Sequence, residues 1–296
     1  MENVKTMMLI YHLVFASNDI LNSFLLIPYY ILPVAAGLCF GLLSVFKVSK
    51  ALQGYLSLTG LTATGATIVM FFEDRHNALI YGRSYSKKRK WFRVIFLASN
   101  YLWSFICLAP AFLNLPDQKI SQDYIRKTLP CLSEEIVTHP AQLTVAIDVT
   151  LIAVLVTFTT ILYFAESITF MILTIRYLFF AGTTSLSVNT RKLQKKLYMA
   201  LCIQAVIPIV IIILPISYLI FSIFKSYFNQ GFNNLSFLFL GTHGMASTIA
   251  MILIHQPYRD ATVSYILPRI LREKLGIKKK TVADSVSFSK SRNSVY

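Results

Sequence analysis

Apolar residues fall in long blocks, and polar residues are confined to the gaps between them. Residues 51–72 (ALQGYLSLTGLTATGATIVMFF) carry no charge. At 1.5 Å per helical residue this block is long enough to cross a hydrocarbon core of roughly 30 Å. Five further blocks run from Met7 to Pro33, Val94 to Leu115, Leu143 to Thr174, Leu197 to Phe224 and Asn233 to His255. The pattern predicts six membrane-spanning helices and hence an all-α integral membrane bundle. Several blocks are interrupted. Asn18, Asp19, Asn22 and Ser23 sit in the middle of the first, Asp148 and Glu166 in the fourth, and Pro208 and Pro215 in the fifth. Residues 34–50 read as an apolar, glycine-containing connection and 116–142 as the longest polar connection outside the tail.

Composition agrees with this reading: 55% of residues are hydrophobic and 14% charged, where a soluble domain carries about 25% charged residues. The formal charge is +15. Its distribution rather than its size is informative. Twenty-two of the 28 Lys and Arg residues lie in 75–93, 176–196, the tail from Arg259, or at Lys5. Only Lys47, Lys50, Lys119, Arg126, Lys127 and Lys225 fall elsewhere. Short loops rich in Lys and Arg stay on the cytoplasmic side, which places both termini inside and 116–142 outside. The basic residues thus mark membrane topology and contact with anionic lipid, and no soluble basic face points to nucleic acid. Residues 1–259 read as the bundle. The segment 260–280, where Ile266, Leu267, Ile270, Leu271 and Leu275 alternate with Arg269, Arg272 and Lys274, reads as an amphipathic helix on the membrane surface. Residues 281–296 read as a disordered, serine-rich cytoplasmic tail.

The four cysteines form no C-x-x-C pair, and no His/Cys set has metal-ligand spacing. His12 sits on the first span and His243 and His255 on the last, and no nucleophile elbow or His-Glu-x-x-His occurs. No catalytic set, metal or cofactor is expected. An intramembrane acid is expensive unless it faces the bundle interior with partners. For Asp19 those partners are Asn18, Asn22 and Ser23 nearby and His243, Ser247 or Thr248 from the last span. Two roles stand for Asp19: holding a cation or proton that biases activation, or knitting helices through hydrogen bonds.

Several stretches resemble the nematode serpentine chemoreceptors of class h (Srh), a branch of the seven-helix receptors. They are Leu129-Pro-Cys-Leu-Ser-Glu-Glu135, Thr190 to Pro208, Asn233-Asn-Leu-Ser-Phe237, His243-Gly-Met-Ala-Ser-Thr248 and His255-Gln-Pro-Tyr-Arg259, together with Phe72-Glu73-Asp74-Arg75. In such receptors one more helix precedes the segment that starts near Val4, so the resemblance implies a seven-helix bundle of which the first helix is missing here. It further implies a plasma-membrane receptor of chemosensory neurons or their cilia, with an external small-molecule or odorant ligand and a heterotrimeric G protein as partners. Glu73, Asp74 and Arg75, with Pro257, Tyr258 and Arg259, would form the coupling face. Pro208 and Pro215 would hinge the helix that swings outward. Tyr30, Tyr55, Thr59, Asp148 and Tyr218 are candidates to line a ligand cavity. Cys131 invites a disulfide, with Cys39 its candidate partner although it comes too early for the position the receptor pattern uses. A six-span transporter or channel is the alternative. Intramembrane acids suit it, but the absence of repeated halves argues against it.

Overall fold

The computed structural model describes residues 2–81, 86–179 and 188–254, with Arg259 and Thr262. In chain order the elements are α1 (Glu2–Ile20), continued as a π-helical turn over Leu21–Leu26, β1 (Pro28–Ile31), β2 (Ala35–Cys39), α2 (Leu42–Val45), α3 (Lys50–Ile80), α4 (Lys87–Ile106), α5 (Ala109–Leu113), α6 (Gln118–Thr128), α7 (Glu134–Val137), β3 (Leu143–Ala146), α8 (Thr150–Phe179), α9 (Val188–Phe224) and α10 (Gln230–Ile254). Residues Met1–Thr248 form one compact unit and Ile249–Tyr296 a second. Among the described residues, five segments are long and apolar enough to cross a bilayer: Met7–Leu26, Lys50–Ile80, Lys87–Leu113, Thr150–Phe179 and Gln230–Ile254. Ile209–Phe224 of α9 is a shorter apolar stretch. The chain is a helical membrane bundle, as its hydropathy predicts. The expected surface helix over 260–280 and tail over 281–296 lie outside the described residues, Thr262 apart.

Two expected spans are shortened where the chain turns to strand. The first span ends at Leu26 rather than Pro33. Ile27 adopts a positive φ of 44° and Pro28 begins a strand. Proline lacks the donor a continuing helix needs, and Tyr29, Tyr30 and Ile31 suit a strand. The fourth span begins at Thr150 rather than Leu143, because Leu143–Ala146 is β3. The connection 34–50 supplies β2, which pairs antiparallel with β1 (Tyr30 opposite Gly37) and with β3. The resulting three-stranded sheet caps one end of the bundle. Ile31, Val34, Ala36 and Leu38 of this layer pack on Ile125, Leu129 and Val137. Lys50 ties the sheet to the start of α3 by donating to the carbonyls of Pro140 (2.8 Å) and Gln142 (3.2 Å).

Helix α3 is the axis of the bundle, packing against α1, α4, α5 and α8. Ser49 caps its start by accepting from Leu52 N–H at 3.2 Å. Close approach depends on small residues, since lipid gives helices no hydrophobic drive to associate. A side chain at Gly60 would strike Asn18 of α1, and one at Gly65 would lie 2.5 Å from the Tyr163 ring of α8. Hydrogen bonds join the helices at the same levels. Tyr163 donates to the Asn100 carbonyl (2.9 Å) and pairs with Ser104 (2.7 Å), and Trp103 Nε1 donates to Thr159 (3.0 Å). Each such bond is worth about 0.6 kcal/mol in a membrane bundle. They fix register more than they supply stability.

Candidate functional site

Inside the bundle, α3, α8, α9 and α10 do not close on one another. They leave a cavity of about 150 Å³. Its wall is built from aliphatic residues such as Leu61, Ile68, Val156, Ile212 and Leu240, with Phe164 and Phe237. None of the lining residues is charged. Most hydroxyls at its edge are already engaged. Thr62 donates to the carbonyls of Thr59 and Ser104 (3.0 Å each), Thr160 to Val156 (2.8 Å), and Thr159 accepts from Trp103. What the cavity offers a guest is therefore apolar contact. A cavity of this size lined by Leu, Ile and Phe takes an uncharged molecule about as large as benzene.

Towards the end of α1, Asp19 meets the backbone of α10, which is helical throughout Gln230–Ile254. Its carboxylate accepts from Gly244 N–H (3.1 Å) and Met245 N–H (2.6 Å). Helix geometry would aim those two donors at the carbonyls of residues 240 and 241. These carbonyls accept from His243 Nδ1 (2.7 Å) and from Ser23 Oγ (2.9 Å). The α1–α10 contact thus adds hydrogen bonds at three backbone groups of α10, the two amides and the Gly241 carbonyl, while His243 turns back onto the Leu240 carbonyl of its own helix. His243 Nδ1 also lies 3.4 Å from Asp19 Oδ1, and the imidazole is fully buried against the Phe15 ring. Gly244 permits the contact, since a Cβ there would lie 2.7 Å from Asp19 Oδ2 and 2.9 Å from the Phe15 backbone. The polar chain continues into α3: Asn22 donates to Asn18 Oδ1 (3.0 Å) and Ser57 to Asn22 Oδ1 (2.6 Å). Ser247 is fully buried one turn further along α10.

At the opposite end of the bundle from the sheet, α3 carries five consecutive buried polar residues, Glu73 to Asn77. The carboxylates are gripped from α4. Arg93 Nε donates to both Glu73 oxygens at 2.9 Å, its Nη2 lies 2.8 Å from Glu73 Oε2, and the same Nη2 reaches Asp74 at 3.1 Å. Arg89 stands 3.8 Å from Glu73 and donates to Asn77 at 3.3 Å. The Arg75 guanidinium sits 5.3 Å from the centre of the Phe71 ring. Sequence reasoning singled out Glu73, Asp74 and Arg75 but not Arg89 or Arg93. Their only signal was membership of a basic run that topology alone explains.

The remaining expected site residues are dispersed. None of Tyr30, Tyr55, Thr59, Asp148 and Tyr218 lines the cavity. Tyr30 stacks near Phe237 (4.3 Å between centroids) and borders a separate space of about 30 Å³ beneath the sheet. Tyr55 donates to the Phe105 carbonyl at 2.6 Å, and Thr59 is buried with its carbonyl accepting from Thr62. Asp148 is exposed before α8 and accepts from Thr150 N–H at 2.9 Å, a bond that holds its carboxyl below the usual range. Tyr218 donates towards the Asn229 carbonyl (3.2 Å) and Asn233 Oδ1 (3.1 Å). Pro208 and Pro215 both lie within the continuous helix α9. Arg259 is exposed, with Nη1 3.5 Å from the Leu253 carbonyl, and Pro257 and Tyr258 lie outside the described residues. The Cys39–Cys131 bridge is not formed. Both thiols are free, with Cys39 half-buried in β2 beside the 30 Å³ space and Cys131 exposed in the turn before α7.

Residues 1–268 match the family described as serpentine type 7TM GPCR chemoreceptor Srh. The chain is also 27% identical over 271 residues to serpentine receptor class H-72 of Caenorhabditis elegans, a match covering 88% of this chain and 74% of that receptor. An apolar helical bundle with polar knots inside it and charge clustered at one end is the architecture such a receptor needs. The chain belongs to the serpentine 7TM chemoreceptor family Srh.

Proposed function

We propose that this chain detects a neutral, apolar small molecule in the cavity among α3, α8, α9 and α10, and signals to a heterotrimeric G protein at its basic end. The observation that carries the reading is the cavity itself: lined by four helices, uncharged, and with most of its hydroxyls already engaged. A site of this kind favours guests by burial rather than by hydrogen bonding. Glu73, Asp74 and Arg75 would then meet the G protein, and the plasma membrane of a chemosensory cell suits an external ligand. In cells carrying a G-protein reporter, a panel of small uncharged volatiles should include at least one activator. Leu61→Phe, which puts a ring into the cavity, should raise the half-maximal concentration by about tenfold or more at matched surface level. Unchanged potency in that variant would remove the cavity from the mechanism.

The orientation carries its own prediction. With the sheet end outside, a membrane-impermeant maleimide applied to intact cells should label the protein once, at exposed Cys131. Cys39 should stay unmodified, because burial pushes its thiol up to about 11 and only the thiolate reacts. Labelling of Cys131 only after permeabilisation would reverse the orientation. Labelling only after reduction would restore the disulfide.

A further inference from the structure

A second space, of about 400 Å³, opens between α8 and α9. It shares Phe164, Ser167, Ile209 and Ile213 with the cavity. At its inner end lies Phe72, which is 1% exposed, and on its rim are Val210 and Leu214, 47% and 67% exposed. Ser167 carries its one hydroxyl. Apart from Val206, the stretch of α9 along this groove lies in the apolar segment Ile209–Phe224, and that of α8 in the middle of the span Thr150–Phe179. The groove therefore opens at the depth of the hydrocarbon core.

Among the described residues the sheet end is packed. There Cys107, Leu108 and Phe112 pack with Val145, Ile152 and Val156 into an apolar cluster, and two of these residues, Leu108 and Val156, are themselves wall of the cavity. The 30 Å³ space beneath the sheet shares no residue with the cavity and holds little more than a water molecule. We infer that the ligand reaches the cavity sideways from the bilayer, through the α8–α9 groove, past Phe164. The occupant of the groove is a neutral lipophilic molecule already dissolved in the membrane, which concentrates such molecules and need not surrender them to water. Phe164 is 42% exposed yet lines both spaces, so a turn of one ring opens or closes the path. Pro215 removes a backbone hydrogen bond of α9 close to Ile213 and lowers the cost of parting the two helices.

This inference rests on the cavity being the ligand site, and the test separates the two. Fluorobenzene serves as the probe, added to the receptor in lipid nanodiscs and followed by fluorine NMR exchange between bilayer-dissolved and protein-bound pools. A bound signal that Leu61→Phe abolishes assigns the probe to the cavity. Exchange should then quicken several-fold in Phe164→Ala and slow in Phe164→Trp. In Val145→Ala, which loosens the sheet-end cluster, it should stay as in the native protein. Exchange indifferent to both Phe164 variants, or quickened by Val145→Ala, overturns the lateral route and leaves the cavity reading standing. A native receptor with no bound signal overturns both.

Discussion

Asp19→Leu should cost the receptor roughly 3–5 kcal/mol and most of its surface expression. The leucine fits an apolar bundle and removes a charge from the membrane, so a reading by hydropathy alone would expect stabilisation. The hydrogen bonds decide otherwise. Without the carboxylate, Gly244 N–H and Met245 N–H lose their acceptor in a medium where no water replaces it. The carbonyls of Leu240 and Gly241 already accept from His243 and Ser23, so sharing them gives the two amides weaker bonds than the charged carboxylate supplies. Asp19→Asn keeps one acceptor oxygen but points an amide at the second donor, so it should fall between leucine and the native residue. The check is surface biotinylation with thermal stability in detergent. Leucine at native levels in both assays would reduce Asp19 to a spectator of a helix that closes without it.

The spans and the basic asymmetry were legible because both are one-dimensional: hydrocarbon thickness sets a run length, and topology sets where lysine and arginine collect. The sheet was not. Its strands are four or five residues long, shorter than the window in which alternation separates from noise, and two of them lay inside apolar runs that read as helix ends. Asp19 announced itself by its cost in a membrane. That its partners would be main-chain amides of α10 did not follow, since every residue but proline carries such a donor. The cavity was least legible. Leu61, Ile212 and Leu240 face an empty space while similar residues on the same helices face lipid or a neighbour, and no periodicity separates these. Aromatic and polar residues such as Tyr55 and Tyr218 drew attention, but each is engaged with a carbonyl or amide nearby.

Arg75→Ala should abolish G-protein signalling, by about a hundredfold or more in agonist response, while leaving surface delivery near native. The difference in kind from Asp19 follows from where the charges are balanced. Glu73 is 2% exposed and would be intolerable alone, yet Arg93 grips it through paired 2.9 Å bonds and Arg89 approaches at 3.8 Å. Glu73 and Asp74 therefore both keep Arg93 when Arg75 is removed, and the bundle keeps most of its stability. Arg93→Ala should show the opposite pattern. It breaks a buried charge pair, a change worth roughly 3–5 kcal/mol, and should lose folded receptor before it loses coupling. Glu73→Gln in the Arg93→Ala background should recover part of that loss, because the stranded charge is then gone. Arg75→Lys keeps the charge without the planar fork and should signal weakly if the partner is gripped through paired hydrogen bonds. Agonist-driven reporter output, normalised to surface protein, separates these cases. Full output from Arg75→Ala would leave Arg75 as an anchor at the helix end, with the coupling contact elsewhere.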